Sequence, residues 1–225
     1  MFHYYMFNYM FNKPAGYLTA RTDAVRPTIM TFFPPEMRDV LHPVGRLDRD
    51  TVGLLLLTDD GFLDPYLLPP EVHMEKTYSF KAFGSLTDED AVRIAAGIAL
   101  YGNEIPARPA RLEILGRSTV ADNVDFLPEA RKRRYLRNPV TPVTSGCITI
   151  SEGKKHEVKL ILKAVGCHVF FLKRLSIGPL QLDESLPEGQ YRELTASERD
   201  ALFGGYPGPY EALEAKGMLP AQRRL

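Results

Sequence analysis

Apolar positions recur along the chain in two periods. Residues 54–57 are four leucines without a polar break, closed by Thr58-Asp59-Asp60-Gly61. A continuous apolar run of this length, ended by a turn, predicts a strand buried on both faces. Residues 75–83 (EKTYSFKAF) alternate in character, and with CITIS at 147–151 and residues 169–177 they predict further strands. An aromatic run at 4–11 predicts an N-terminal strand ended by Lys13-Pro14-Ala15-Gly16. Strands are also expected near 41–57 and 110–115.

The helical period shows at Val158, Ile161, Leu162 and Val165, spaced i, i+3, i+4, i+7. It predicts a helix from about His156 to Val165, with Gly166 as the residue that stops it. Lys155, Lys159 and Lys163 share another face of that helix. Thr87 with Asp90 and Thr195 with Glu198 form capping boxes, which open helices to about Gly97 and over 195–203. Pro27 starts a short helix through Phe33, stopped by Pro34-Pro35. Residues 98–115 predict short strands with a turn at Tyr101-Gly102-Asn103. Residues 116–145 are the least regular and predict a long loop or surface insertion. The tail after Gly204-Gly205 is rich in Gly and Pro at first and is expected to be peripheral. No internal repeat is found.

Composition narrows the function classes. The 225 residues are 44% hydrophobic and 25% charged, as in a soluble globular protein. The 28 basic and 28 acidic residues cancel, which argues against wholesale coating of nucleic acid but leaves a local basic cleft open. Cys147 and Cys167 form no CxxC pair, so a disulfide scaffold is excluded and a zinc site is not indicated. The N-terminus lacks the basic start and small-residue cleavage site of a signal peptide. It is also too short to span a bilayer. A cytoplasmic location without membrane contact is expected.

Four segments carry candidate chemistry. In Gly45-Arg46-Leu47-Asp48 a carboxylate precedes a hydrophobic strand. A desolvated aspartate needs a cation or donors to stay ionised, and would then serve as nucleophile or base. Taken alone, the segment fits a solvated strand end better. In Gly153-Lys154-Lys155-His156-Glu157-Val158-Lys159, lysines near a helix start oppose the helix dipole and call for a carboxylate or phosphate partner. An ordinary solvated face is the plainer reading there too. His156-Glu157 does not open a zinc-protease motif, because Leu160 stands where the second histidine belongs. Tyr78, in Lys76-Thr77-Tyr78, is a core residue unless it faces a cleft, where it would offer a flat surface to a nucleobase. The cluster Arg131-Lys132-Arg133-Arg134 fits a phosphate-contacting loop or a solvated charge run equally. No phosphate-binding glycine loop occurs.

Taken in order, NKPAGYLTA, GRLDRDTVGLLLLTDDG, EKTY and EGKKHEVKLILKAVG with FLKRLSIGPLQL resemble the RsuA/RluB-E-F group of ribosomal RNA pseudouridine synthases. The similarity covers about residues 10–195, and the GRLD run is long and specific. The resemblance implies an α+β pseudouridine synthase fold: a mixed, mostly antiparallel sheet in two lobes with a central catalytic cleft. It makes Asp48 the catalytic aspartate and Arg46 the residue that displaces the target base. Tyr78 packs on the flipped uracil, Lys159 pairs with the carboxylate where many relatives have arginine, and Leu160 walls the uracil pocket. Lys13, Lys76, Lys154 and Lys155 are expected to meet phosphates, with Arg131, Arg133 and Arg134 anchoring RNA. No metal and no organic cofactor is implied.

The resemblance also sets expectations about organisation. A catalytic domain over 1–203 and a peripheral tail over 204–225 are expected, with no S4-like RNA-binding module ahead of them. The partner is ribosomal RNA or a ribosomal assembly particle, and the protein is expected to be a monomer. The ending GPLQLDESLPEGQYRELTASE favours the small-subunit type, with a large-subunit substrate as the other possibility. A non-catalytic RNA-binding or assembly factor on the same fold is the alternative function. It would need Arg46, Tyr78 and the basic cluster at 131–137 but not Asp48. A hydrolase built on Asp48 and Asp50 would want a second poised carboxylate or a metal, and no clear site for either is evident.

Overall fold

The computed structural model describes residues 7–61, 63, 74–100, 102 and 105–204. Nine strands form one sheet among them. They are β1 (Asn8–Lys13), β2 (His42–Val44), β3 (Val52–Thr58), β4 (Lys76–Phe83), β5 (Arg111–Thr119), β6 (Pro142–Ile150), β7 (His168–Ile177), β8 (Leu180–Gln181) and β9 (Tyr191–Glu193). The order is β5-β6-β4-β7-β3-β1-β9, with β2 beside β3 and β8 beside β7. Every pairing is antiparallel except β3 with β7. That parallel contact has only two register pairs, Val52↔Lys173 and Gly53↔Arg174, and it joins the two antiparallel halves. The architecture is α+β with a mixed, mostly antiparallel sheet, as the resemblance implied.

The leucine run of β3 explains its own pattern. Leu55 and Leu57 belong to the main core, whereas Leu54 and Leu56 belong to a second core on the other face. All four are fully buried. β1 divides likewise, Phe11 to the first core and Met10 to the second. The main core is covered by α2 (Asp88–Ala95) and α4 (Glu157–Ala164) through Ile94, Val158, Ile161 and Leu162. The capping box of α2 is formed as the sequence predicts, and so is that of α5 (Ala196–Phe203).

Several expectations need adjustment. β1 continues through Lys13, and residues 4–6 lie outside the described residues. The stretch 41–57 is two strands, separated by a loop at 45–51. The segment after Pro27 is a 3-10 turn, Ile29–Phe32, capped by Thr28. Pro35 then opens the short α1 (Pro35–Arg38), because a proline at the first helical position loses no hydrogen bond. The irregular pattern at 116–145 conceals ordered structure: β5 runs to Thr119 and β6 starts at Pro142. Between them lie the 3-10 segment Ala121–Phe126 and α3 (Glu129–Tyr135). The expected turn at 101–103 falls mostly outside the described residues, as does the tail beyond Gly204. No helix among the described residues is long and apolar enough to cross a membrane.

Candidate active site

The loop at 45–51, between β2 and β3, is held by its backbone. Thr19 Oγ1 donates to the Leu47 carbonyl at 2.8 Å and accepts from the Leu47 N–H at 3.2 Å. The buried ammonium of Lys13 reaches the carbonyls of Pro14, Asp48, Arg49 and Thr51 at 2.9–3.3 Å. The Gly16 N–H also donates to the Arg49 carbonyl. These bonds leave the backbone around Asp48 little freedom. Gly53 completes the fixation on the strand side. It has φ +95°, and a Cβ there would lie 2.3 Å from the Arg174 carbonyl. Only glycine permits the loop to enter β3 directly against β7.

Lys159, in the first turn of α4, meets this loop. Its Nζ lies 2.8 Å from Asp48 Oδ2 and 2.6 Å from Asp50 Oδ1. The unfavourable position of a lysine at a helix start is thereby offset by two carboxylates. Burial works against the Lys159 charge, but hydrogen bonds and the charges of Asp48 and Asp50 outweigh it and raise its pKa. For Asp50, burial also opposes ionisation, and Lys159 more than compensates, holding the carboxyl below its ordinary range. His156 caps α4 from the left-handed region, at φ 58°. Its Nε2 lies 3.4 Å from Asp48 Oδ1, an ion pair when the imidazole is protonated.

Asp48 borders a cavity of about 550 Å³. Arg46 stands exposed at its edge. Lys76 and Tyr78 of β4, Ile150 of β6, Leu172 and Arg174 of β7 and Val158 of α4 form its walls. The interior is thus largely apolar by area, with an aromatic ring, the carboxyl groups of Asp48, Glu152 and Glu157, and several cations. That is the composition expected for holding a planar, uncharged base out of water. Among the described residues, no group of three or more potential metal ligands occurs.

The structure brings Arg46, Asp48, Tyr78, Lys76, Lys154 and Lys159 to one cavity. Two assignments need correction. Lys13 is fully buried, with its ammonium enclosed by carbonyls, so it supports the loop and meets no phosphate. Burial lowers its pKa to about 8 against the opposing pull of Asp50 and Asp48. Leu160 does not line the cavity: it packs on the main core, and Val158 supplies the apolar wall from α4. Arg131, Arg133 and Arg134, expected to anchor RNA, lie exposed on α3 and outside the cavity lining.

The lysines near the cavity are also constrained. Lys154 donates to the Pro106 carbonyl at 2.7 Å and pairs with Glu152 at 3.1 Å. Lys76 donates to the Met74 carbonyl, and burial, then nearby Arg174, lower its pKa. Lys155 is exposed and outside the cavity lining.

Sequence reasoning missed Thr19, Glu157 and Arg174. Glu157 is buried at the cavity, its Oε2 accepting from the Lys154 N–H. Burial, reinforced by Glu152, raises its pKa to about 8. Arg174 is 2% exposed. An arginine set between the leucines of a strand, as in LKRLS, was the available signal for it.

Comparisons with known proteins point to one family. A family model described as RNA pseudouridylate synthase matches residues 8–164. The chain is 39% identical over 194 residues to Ribosomal small subunit pseudouridine synthase A of Haemophilus influenzae, covering 86% of this chain and 72% of the relative. The same identity and coverage relate it to a Bacillus subtilis protein named uncharacterized RNA pseudouridine synthase YtzG. A crystal structure described as a pseudouridylate synthase superposes with a TM-score of 0.71 at 38% identity, covering 88% of this chain and 74% of that one.

Proposed function

The chain belongs to the RNA pseudouridine synthase family, and from that premise we propose that it isomerises a uridine of small-subunit ribosomal RNA with Asp48 as the catalytic carboxylate. The observation that carries the reading is the 2.8 Å pair of Asp48 with Lys159 in the lining of a mostly apolar cavity of about 550 Å³, room enough for a flipped nucleotide. On this reading the catalytic unit extends to residue 203.

The reaction breaks the bond from ribose C1′ to uracil N1, turns the base and rejoins it through C5. A proton is lost from C5 and one is gained at N1, so no oxidant is required. The target base first leaves its stack, at a cost of a few kcal/mol. Arg46, exposed at the rim, takes the place of the base or pushes it out. Tyr78 supports the detached uracil. Asp48 attacks C1′, adds to C6, or removes the C2′ proton. Lys159 keeps its carboxylate oriented in each case. The apolar walls exclude water, which would otherwise trap the sugar as an abasic site. Lys76, Lys154 and Lys155 supply positive charge towards the flanking phosphates.

The test is tritium release from ribosomal RNA labelled at uracil C5, with small- and large-subunit RNA supplied both naked and as assembly particles. Release from small-subunit RNA is expected, lost by about 10⁴-fold or more in Asp48→Asn with RNA binding retained. Unimpaired release by the variant would overturn the role of Asp48. Release from large-subunit RNA alone would transfer the substrate to that subunit.

A further inference from the structure

Arg174 is an expensive residue where it stands. It lies in β7 with 2% of its surface exposed. Its Nε donates to the Leu54 carbonyl at 2.7 Å, but its buried Nη2 has no hydrogen-bond partner. A guanidinium is always charged, and an unused donor on it in a low-dielectric site is costly. The sheet nevertheless holds it firmly. Its backbone is gripped by the parallel register with Gly53, where no side chain fits. The register shifts beside it, with Tyr78 opposite Arg174 but Thr77 opposite Ser176, so one extra residue of β7 is accommodated there. Such irregularities re-aim side chains at functional sites. Arg174 and Tyr78 are therefore neighbours across two strands, and both line the cavity. The anionic Asp48 is already served by Lys159 and His156.

We propose that Arg174 is a catalytic residue whose guanidinium donates to a uracil carbonyl oxygen and stabilises the negative charge that gathers on the base during isomerisation. This rests on the reading that the cavity receives a flipped uridine. When the C1′–N1 bond breaks, its electron pair passes to the uracil and spreads over N1, O2 and O4. Addition of a carboxylate to C6 instead would also push charge onto O4. A fixed cation beside the ring serves every route, because it is already oriented when the charge appears. Tyr78 gives the base a surface, Lys159 serves the carboxylate, and Arg174 serves the leaving group.

The experiment uses single-turnover rates of wild type, Arg174→Gln and Arg174→Lys, with thermal melting and RNA affinity measured alongside. Two RNAs are compared, one with uridine and one with 5-fluorouridine at the target, following consumption of the nucleoside. Fluorine at C5 withdraws electrons and stabilises the departing base by itself. Arg174→Gln is expected to slow uridine turnover roughly 100-fold with RNA affinity unchanged, and Arg174→Lys to recover part of the rate. The Arg174→Gln deficit should shrink on fluorouridine, which a merely structural defect would not do. A wild-type rate in Arg174→Gln, or equal deficits on the two RNAs, would overturn the assignment. Should Arg174→Gln fail to fold, the same comparison on Arg174→Lys decides, with no deficit or an equal one counting against it. A wild type that consumes neither nucleoside fails the parent reading, whereas a fast variant of an active enzyme fails only this one.

Discussion

β4 has very different surroundings at its two ends. At Lys76 and Tyr78 it borders the cavity, where charges are partly or wholly buried and paired across distant elements. At Phe83, roughly 17 Å further along at about 3.4 Å per residue, it meets the basic helix α3. There Phe83 contacts Tyr135 and Phe170, and neighbouring Lys81 reaches Asn123 and the Phe126 ring. Side chains alternate along a strand, so these odd-numbered residues lie on the sheet face opposite Tyr78. The arginines of α3 are exposed, and the helix pairs Lys132 only with its own Glu129, at 3.5 Å. One end of the strand spends charge on fixing geometry, and the other presents charge to solvent. The first kind of charge governs a reaction rate, and the second governs encounter and affinity.

Replacing charges at each end tests that contrast. Lys159→Met should have the largest effect, lowering single-turnover tritium release by roughly 10²–10³-fold with RNA affinity little changed. Lys159→Arg should retain most activity, since a guanidinium can serve both carboxylates. A loss of affinity equal to the loss of rate would erase the distinction between the two ends. Lys13→Met should follow. Removing its ammonium strands several buried carbonyls and should cost about 3 kcal/mol in denaturant unfolding, with activity falling as the Asp48 loop loosens. An undisturbed unfolding midpoint would show that the loop does not need Lys13.

Glu157 supplies a pH test. Its pKa rises from 4.5 to about 8 in the folded protein. Its contribution to stability is therefore full below pH 4.5 and is lost as pH rises through about 8. Thermal melts of wild type and Glu157→Gln from pH 5 to 8.5 should diverge, the variant gaining on wild type as pH rises. Parallel curves would mean that Glu157 is ionised throughout. The triple variant Arg131→Ala, Arg133→Ala and Arg134→Ala should have the smallest effect on the reaction. RNA affinity should weaken and the slope of log affinity against log salt should flatten by about 2–3, with the rate at saturating RNA unchanged. A lowered saturating rate would place α3 in the chemistry.

How far the sequence reads into this molecule depends on the range of each interaction. β3, β4, α2, α4 and α5 were legible because a local period or capping box specifies each. β8 and β9 were not, because two- and three-residue strands carry too little pattern. The ordered segment between β5 and β6 was hidden because its buried hydrophobic residues, Val120 and Leu127, are few and widely spaced and find their partner in Val143 of β6.

The sequence by itself determined the family, the buried leucine strand, the lysine-bearing helix and the candidate carboxylate at Asp48. These rest on long motifs and on periodicities that neighbouring residues impose on one another. Only the tertiary structure decided which charges belong to the cavity. Lys13 and Lys159 are the same residue type in equally suggestive motifs, yet one is enclosed by carbonyls and the other is paired with carboxylates. Arg174 reads as one more basic residue until β3 and β7 close around it. Burial and partnership are properties of the assembled sheet, set by groups 38, 111 and 120 positions apart in the chain.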